Sequence, residues 1–239
     1  MAFLKQAFAG PFQVPGALIL YAAALILSSW LHYGVEHVLE TEIWGAMPPA
    51  VENTLRLARD LAIVLLAALV MPIAFGMIGR DLARPLWKVG VPGEALRRFF
   101  SLWFLMNLLL ITVSRVTGKL MEAESPAAGL TLGILIILYA SYIIVGAGIM
   151  YHGRFGTEDL SKALAPFIRE GGQTGLLILL ALFTVLVALF TDIDVEDLSW
   201  LYHAPVAGVL SAVLECVIFS GAWIICMTSQ ETPDNDLDF

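Results

Sequence analysis

Six runs of apolar residues, at about 13–33, 57–79, 99–119, 128–150, 173–192 and 206–228, divide the chain, and polar residues collect almost entirely between them. Each run is close to the roughly 20 residues that a helix needs to cross the hydrocarbon of a bilayer. Apolar residues fill these runs on all sides rather than along one stripe, which identifies lipid, not water, as their solvent. The pattern predicts an all-α integral membrane protein with six transmembrane helices. The first run is too long for the core of a signal peptide and no small-x-small cleavage site follows it, so it is expected to be retained as a span.

Composition strengthens this reading: 59% of the 239 residues are hydrophobic, 14% are charged, and mean hydropathy is +0.84. The formal charge of −8 gives no clustered basic footprint, so a nucleic-acid partner is not expected. The two cysteines, Cys216 and Cys226, lie ten helical residues apart, about 15 Å along one axis, and cannot pair with each other.

Lysine and arginine in the short loops orient the spans. With the N-terminus inside, Lys5, Arg80, Arg84, Lys88, Arg97, Arg98, Arg154, Lys162 and Arg169 fall on the cytoplasmic side and Arg56, Arg59, Arg115 and Lys119 outside, a split of nine to four. Both termini are then expected in the cytoplasm, and the outer face carries eleven acids against those four bases.

A repeat runs through the chain. FLKQAFAGPFQVPGALIL, DLARPLWKVGVPGEALRRFF from Asp81 and DLSKALAPFIREGGQTGLLIL from Asp159 each place a short segment with a base and several apolar residues before a Gly or Pro-Gly break and then a span. The breaks are Pro15-Gly16, Pro92-Gly93 and Gly171-Gly172. This predicts three tandem units, 1–79, 80–156 and 157–229, each an interfacial helix (3–12, 80–89 and 158–168) hinged to a helical hairpin. An acidic tail, 230–239, closes the chain. The AFAGPF start and the GRFGTEDLSKALAPF stretch resemble the layout of bacterial polytopic proteins in which an amphipathic segment precedes each hairpin, which implies a bacterial-type inner membrane.

Polar residues inside the spans are the candidate chemistry. Glu215 stands near the middle of the last run, where a carboxylate costs about 2.5–3.5 kcal/mol on insertion scales and should turn away from lipid. Helical spacing sets Gly208, Ser211, Ala212, Glu215, Phe219 and Ala222 on one mostly small stripe suited to helix contact. By depth its best partner is Asn107 in the third span. Thr184, Tyr139, Ser141 and Tyr142 are alternatives, and Glu215, Asn107 and Ser211 form the expected intramembrane polar site. His32, His37 and His203 share one end of the bundle and are weak candidates for a metal or haem ligand set. TDIDVEDL, 191–198, opens like a calcium loop but lacks the turn glycine and final glutamate. Pro72 is expected to kink the second span, and Trp30, Trp44, Trp87, Trp200 and Trp223 to mark the interfaces.

No phosphate loop, nucleophile elbow, H-E-x-x-H pair or C-x-x-C motif occurs. The expected function is therefore a non-enzymatic accessory or scaffolding subunit, without cofactor, that binds lipid or other membrane proteins. A small proton- or cation-coupled transporter using Glu215 is the alternative, and a haem-binding subunit is third.

Overall fold

The computed structural model describes residues 2–41, 47–82, 91–153, 157–190 and 198–231. Among them are eight helices: α1 (Ala2–Gln13), α2 (Pro15–Glu40), α3 (Pro49–Leu82), α4 (Pro92–Glu122), α5 (Ala128–His152), α6 (Thr157–Arg169), α7 (Gly171–Phe190) and α8 (Trp200–Glu231). The chain is an all-α, multi-pass membrane protein. Helices α2, α3, α4, α5 and α8 are each long and apolar enough to span a bilayer, and the bent pair α6–α7 adds a sixth crossing if it is one broken span.

Every span agrees with its apolar run, but most helices outrun the run at their ends. Helix α3 begins at Pro49, a turn and more before the apolar window, and carries Glu52, Asn53, Thr54 and Arg56 in those added residues. Helical hydrogen bonding does not stop where the hydrocarbon does, and polar side chains suit the extra turns. The Pro-Gly breaks act as helix starts: Pro15 and Pro92 open α2 and α4, where a missing N–H has no intrahelical partner to lose. Pro72 lies buried within α3, which continues through it to Leu82.

The two described segments that the repeat predicts as interfacial are helices, and both pack against a span. Helix α6 meets α7 at 100°. Its Ala163 carbonyl and Phe167 ring press so closely on Gly148 of α5 that an added Cβ there would fall 2.6 Å from the carbonyl oxygen. Lys162, Ile168 and Arg169 stay exposed. Helix α1 lies on α8, with Ala7 completely buried against Val217 and Ile224, and with Gly10 close to Ser220. Phe8 and Phe12 remain exposed on its other side. The middle segment, 80–89, begins with the last residues of α3 and otherwise lies outside the described residues.

Helix α8 is the hub. It contacts α1, α2, α3, α5, α6 and α7, while α4 closes the bundle by packing between α3 and α5. Large aromatic residues fill the interior: Phe75 stacks on Phe219 at 4.4 Å and touches Tyr21 at 5.0 Å and Trp103 at 5.3 Å. Glycines make room for them. Gly146 faces the Trp103 ring, and a Cβ on Gly79 would fall 2.8 Å from the ring of Trp223. Trp223 is thus a core residue and not an interfacial one, a correction that follows from the space Gly79 leaves. Trp30 is exposed, Trp200 is buried beside His37, and Trp44 and Trp87 lie outside the described residues.

Candidate functional site: a carboxylate among tyrosines

Glu215 turns into the bundle, as its depth in the span requires. Only 3% of it is exposed. The small stripe around it lets neighbouring helices approach: Gly208 sits against Ile26 of α2, where an added Cβ would lie 3.3 Å from the backbone nitrogen. That approach delivers a phenol. Tyr21 of α2 donates its hydroxyl hydrogen to Glu215 Oε2, and Tyr142 of α5 donates to the same oxygen at 3.0 Å. Tyr139, one turn earlier on α5, donates to Oε1 at 2.9 Å.

Three hydroxyls thus occupy a group with about four acceptor positions. They do for the carboxyl what water would do outside the membrane. Tyr139 and Tyr142 reach it together because residues three apart share one face of α5. Thr184 of α7, also buried, lies beside the Tyr139 hydroxyl, and the Tyr21 and Tyr142 hydroxyls lie beside each other. Four helices, α2, α5, α7 and α8, meet at this point. The rings are packed as tightly as their hydroxyls are paired, with Tyr139 and Tyr142 centred 5.6 Å apart and Trp103 set edge-on to Tyr142.

Asn107 is elsewhere. Its amide donates to the Trp103 carbonyl at 2.7 Å, four residues back on α4, and to the Met71 sulfur at 3.4 Å. An asparagine that finds a carbonyl within its own helix has little need of a distant acid. Ser211 is half-buried one turn from Glu215, and the described hydrogen bonds do not join it to the carboxylate. Ser141 donates within α5, to the carbonyls of Ile137 and Leu138. Tyr139, Tyr142 and Thr184 are thus among the partners the sequence offers, whereas Tyr21, inside the first apolar run, carries no signal in the sequence that points to Glu215.

A second polar cluster occupies the end of the bundle away from the termini. Arg59 of α3 donates to Glu36 of α2 and, through Nε at 2.8 Å, to its neighbour Asp60. Arg56 reaches the same Glu36 at 3.2 Å, and Arg115 of α4 donates through Nε to Asp60. Arg59 and Asp60 are both buried. One donor is left over: the Arg115 Nη2 is buried without a hydrogen-bond partner.

The three histidines are not gathered as ligands, although His32 lies within electrostatic reach of Arg59, Glu36 and Asp60. His32 packs edge-on to Tyr33, His37 packs against Trp200, and His203 is exposed. Among the described residues no three His, Cys, Asp or Glu side chains are grouped to hold a metal. The acidic stretch 191–197 lies outside the described residues. No protein-family model, curated protein or solved structure matches the chain.

Proposed function

We propose that the protein is a non-enzymatic membrane scaffold, an accessory subunit that offers its lipid-facing surface to other membrane proteins or lipid, in a bacterial-type inner membrane. The observation that carries this reading is the state of Glu215: both carboxylate oxygens are taken by internal hydroxyls. A transport site must exchange its ligand with water on one side and then the other, whereas this carboxyl of α8 is held by hydroxyls from α2 and α5 at once. Its geometry suits glue better than carriage.

The outer surface supports the same reading. Gly129 and Gly133 of α5 form a small-x-x-x-small pair, and nothing lies within 4 Å of where a Cβ would stand on either. Gly171 and Gly175 of α7 are open in the same way. Such faces let another helix approach backbone to backbone.

The test is flux in proteoliposomes under an imposed pH gradient, comparing the wild type, Glu215→Gln and protein-free vesicles. Equal proton leak in all three is expected. A wild-type flux that Glu215→Gln abolishes, with the variant still folded, would replace the scaffold by a proton-coupled transporter. On the positive side, a cysteine placed at Gly133 should crosslink to a discrete neighbour in native membranes, and Gly129→Leu in the same chain should remove that product.

A further inference from the structure

Helices α1 and α6 repeat one design. Leu4, Ala7, Phe8 and Phe12 of α1 stand 156 positions before Leu160, Ala163, Leu164 and Ile168 of α6. The two alanines make the contact with the bundle: Ala7 is completely buried on α8, and Ala163 is 1% exposed, with its carbonyl against Gly148 of α5. The other three positions of each set recur every four residues and so form one stripe. Phe12 in the first stripe is 60% exposed and Ile168 in the second is 80%. Gln6 and Gln13 of α1 correspond to Lys162 and Arg169 of α6, and all four are exposed.

Both helices lie across the spans. Helix α6 is bent by 100° from α7. Phe3 and Gly10, seven residues apart on α1, approach Gly221 and Ser220, which are adjacent on α8, so α1 crosses α8 instead of running beside it. The crossing at Ser220 lies about 10 Å along the axis from Met227, near the end of the apolar run of α8. Toward that end Gln6 and Gln13 open on a recess shared with Met227 and Thr228. Helical spacing turns Phe8 roughly the opposite way, into the depth of the membrane, and Leu164 stands in the same relation to Lys162 and Arg169.

We infer that α1 and α6 are a pair of membrane-surface anchors, which insert the Leu4–Phe8–Phe12 and Leu160–Leu164–Ile168 stripes among the acyl chains of the leaflet at the termini's end of the bundle. The occupant is hydrocarbon, because the apolar stripe is common to both copies and net charge is not. Helix α1 carries Lys5 and no acid, whereas α6 has Lys162 and Arg169 together with Glu158 and Asp159 in its sequence. Without a common basic face, insertion depends on the apolar area buried. A bilayer also meets both stripes at once, although α1 packs with α2, α3 and α8 and α6 with α5, α7 and α8, at different points around the bundle. Two such in-plane helices fix the depth and tilt of the spans. This assignment depends on the spans alone and holds whether the protein scaffolds or transports.

The test is spin labelling of the full-length protein in phosphatidylcholine vesicles, with one label at a time introduced through Phe12→Cys, Gln13→Cys, Ile168→Cys or Arg169→Cys. Cys216 and Cys226 are completely buried, and unlabelled wild type checks that they stay unreactive. Collision with apolar oxygen against a water-soluble nickel chelate reads depth. Labels at 12 and 168 are expected to favour oxygen several-fold more than those at 13 and 169, their immediate neighbours, and phosphatidylglycerol in the vesicles should leave that contrast unchanged. Nickel access at 12 and 168 equal to that at 13 and 169 would put the stripes in water and overturn the anchors. Protection of 12 and 168 from both reagents would mean that protein covers the stripes, a second copy if dilution in lipid removes the protection, and would overturn them too. A contrast that appears only with phosphatidylglycerol would make charge the cause, and a contrast in one helix alone would contradict the shared design. If Phe12→Cys fails to fold, Ile168→Cys, at the matching position, still decides between lipid, water and protein.

Discussion

The two polar clusters solve one problem in opposite ways. At the bundle's centre a single acid is matched by neutral donors, Tyr21, Tyr139 and Tyr142, and both of its oxygens are occupied. At the end away from the termini, two acids are matched by three guanidiniums, and a nitrogen is left over. Phenols carry no charge of their own into the hydrocarbon, and their rings add apolar packing, so they can accompany an acid where an arginine would bring a second ion to desolvate. Nearer the headgroups guanidiniums are tolerated, because water and lipid phosphate are within reach. Both clusters bind helices together, the first α2, α5 and α8 and the second α2, α3 and α4.

The largest effect should come from breaking the closed cluster. Glu215→Leu takes the carboxylate acceptor from three buried hydroxyls, and up to about 3 kcal/mol of stability should be lost, at roughly 1 kcal/mol for each bond in a membrane interior. Thermal unfolding in nanodiscs would read this as a large drop in Tm, and an unchanged Tm would deny the tyrosines their role. Arg59→Leu should come next. It separates Glu36 from Asp60, but Arg56 and Arg115 still hold the two acids, so about 2 kcal/mol is expected rather than the full cost of orphaning a buried charge. A smaller effect sharpens the contrast. Arg56 is more than a third exposed, and Arg56→Gln should cost about 0.5 kcal/mol at low salt and almost nothing at 1 M, where screening shortens to about 3 Å. The loss from Glu215→Leu should not respond to salt at all.

Much of this arrangement was legible in the chain before any fold. Apolar runs locate spans because lipid imposes a length and a polarity on each of them. Glu215 announced itself as the one carboxylate in the middle of such a run, and the small stripe beside it foretold close helix contact, which Gly208 and Ile26 make. Which side chains meet it was only partly legible. Helical periodicity states which face a residue occupies, not which helix lies opposite, so Tyr139 and Tyr142 could be named only among several candidates. Asn107 looked suitable by depth, yet the Trp103 carbonyl in its own helix had already answered its amide. Trp223 resembled an interfacial anchor until the packing showed that Gly79, on another helix, vacates the space it fills. The charged cluster was visible in the sequence only as charge counted on the outer side, although Arg59, Asp60 and Arg115 fall near the ends of their apolar runs. Its members fall on three helices, and nothing local to Glu36, Asp60 or Arg115 indicates that they converge.

The central claim is that Glu215 and its tyrosines act as one closed unit, and a double-mutant cycle between Glu215→Leu and Tyr142→Phe measures it most directly. In nanodiscs, removing the Tyr142 hydroxyl should cost about 1 kcal/mol when Glu215 is present and nothing, or slightly stabilise, when Leu has replaced it. The coupling energy would then be on the order of 1 kcal/mol. If Tyr142→Phe costs the same in both backgrounds, the hydroxyl and the carboxylate are not coupled, and the account of a closed polar knot at the centre of the bundle is contradicted.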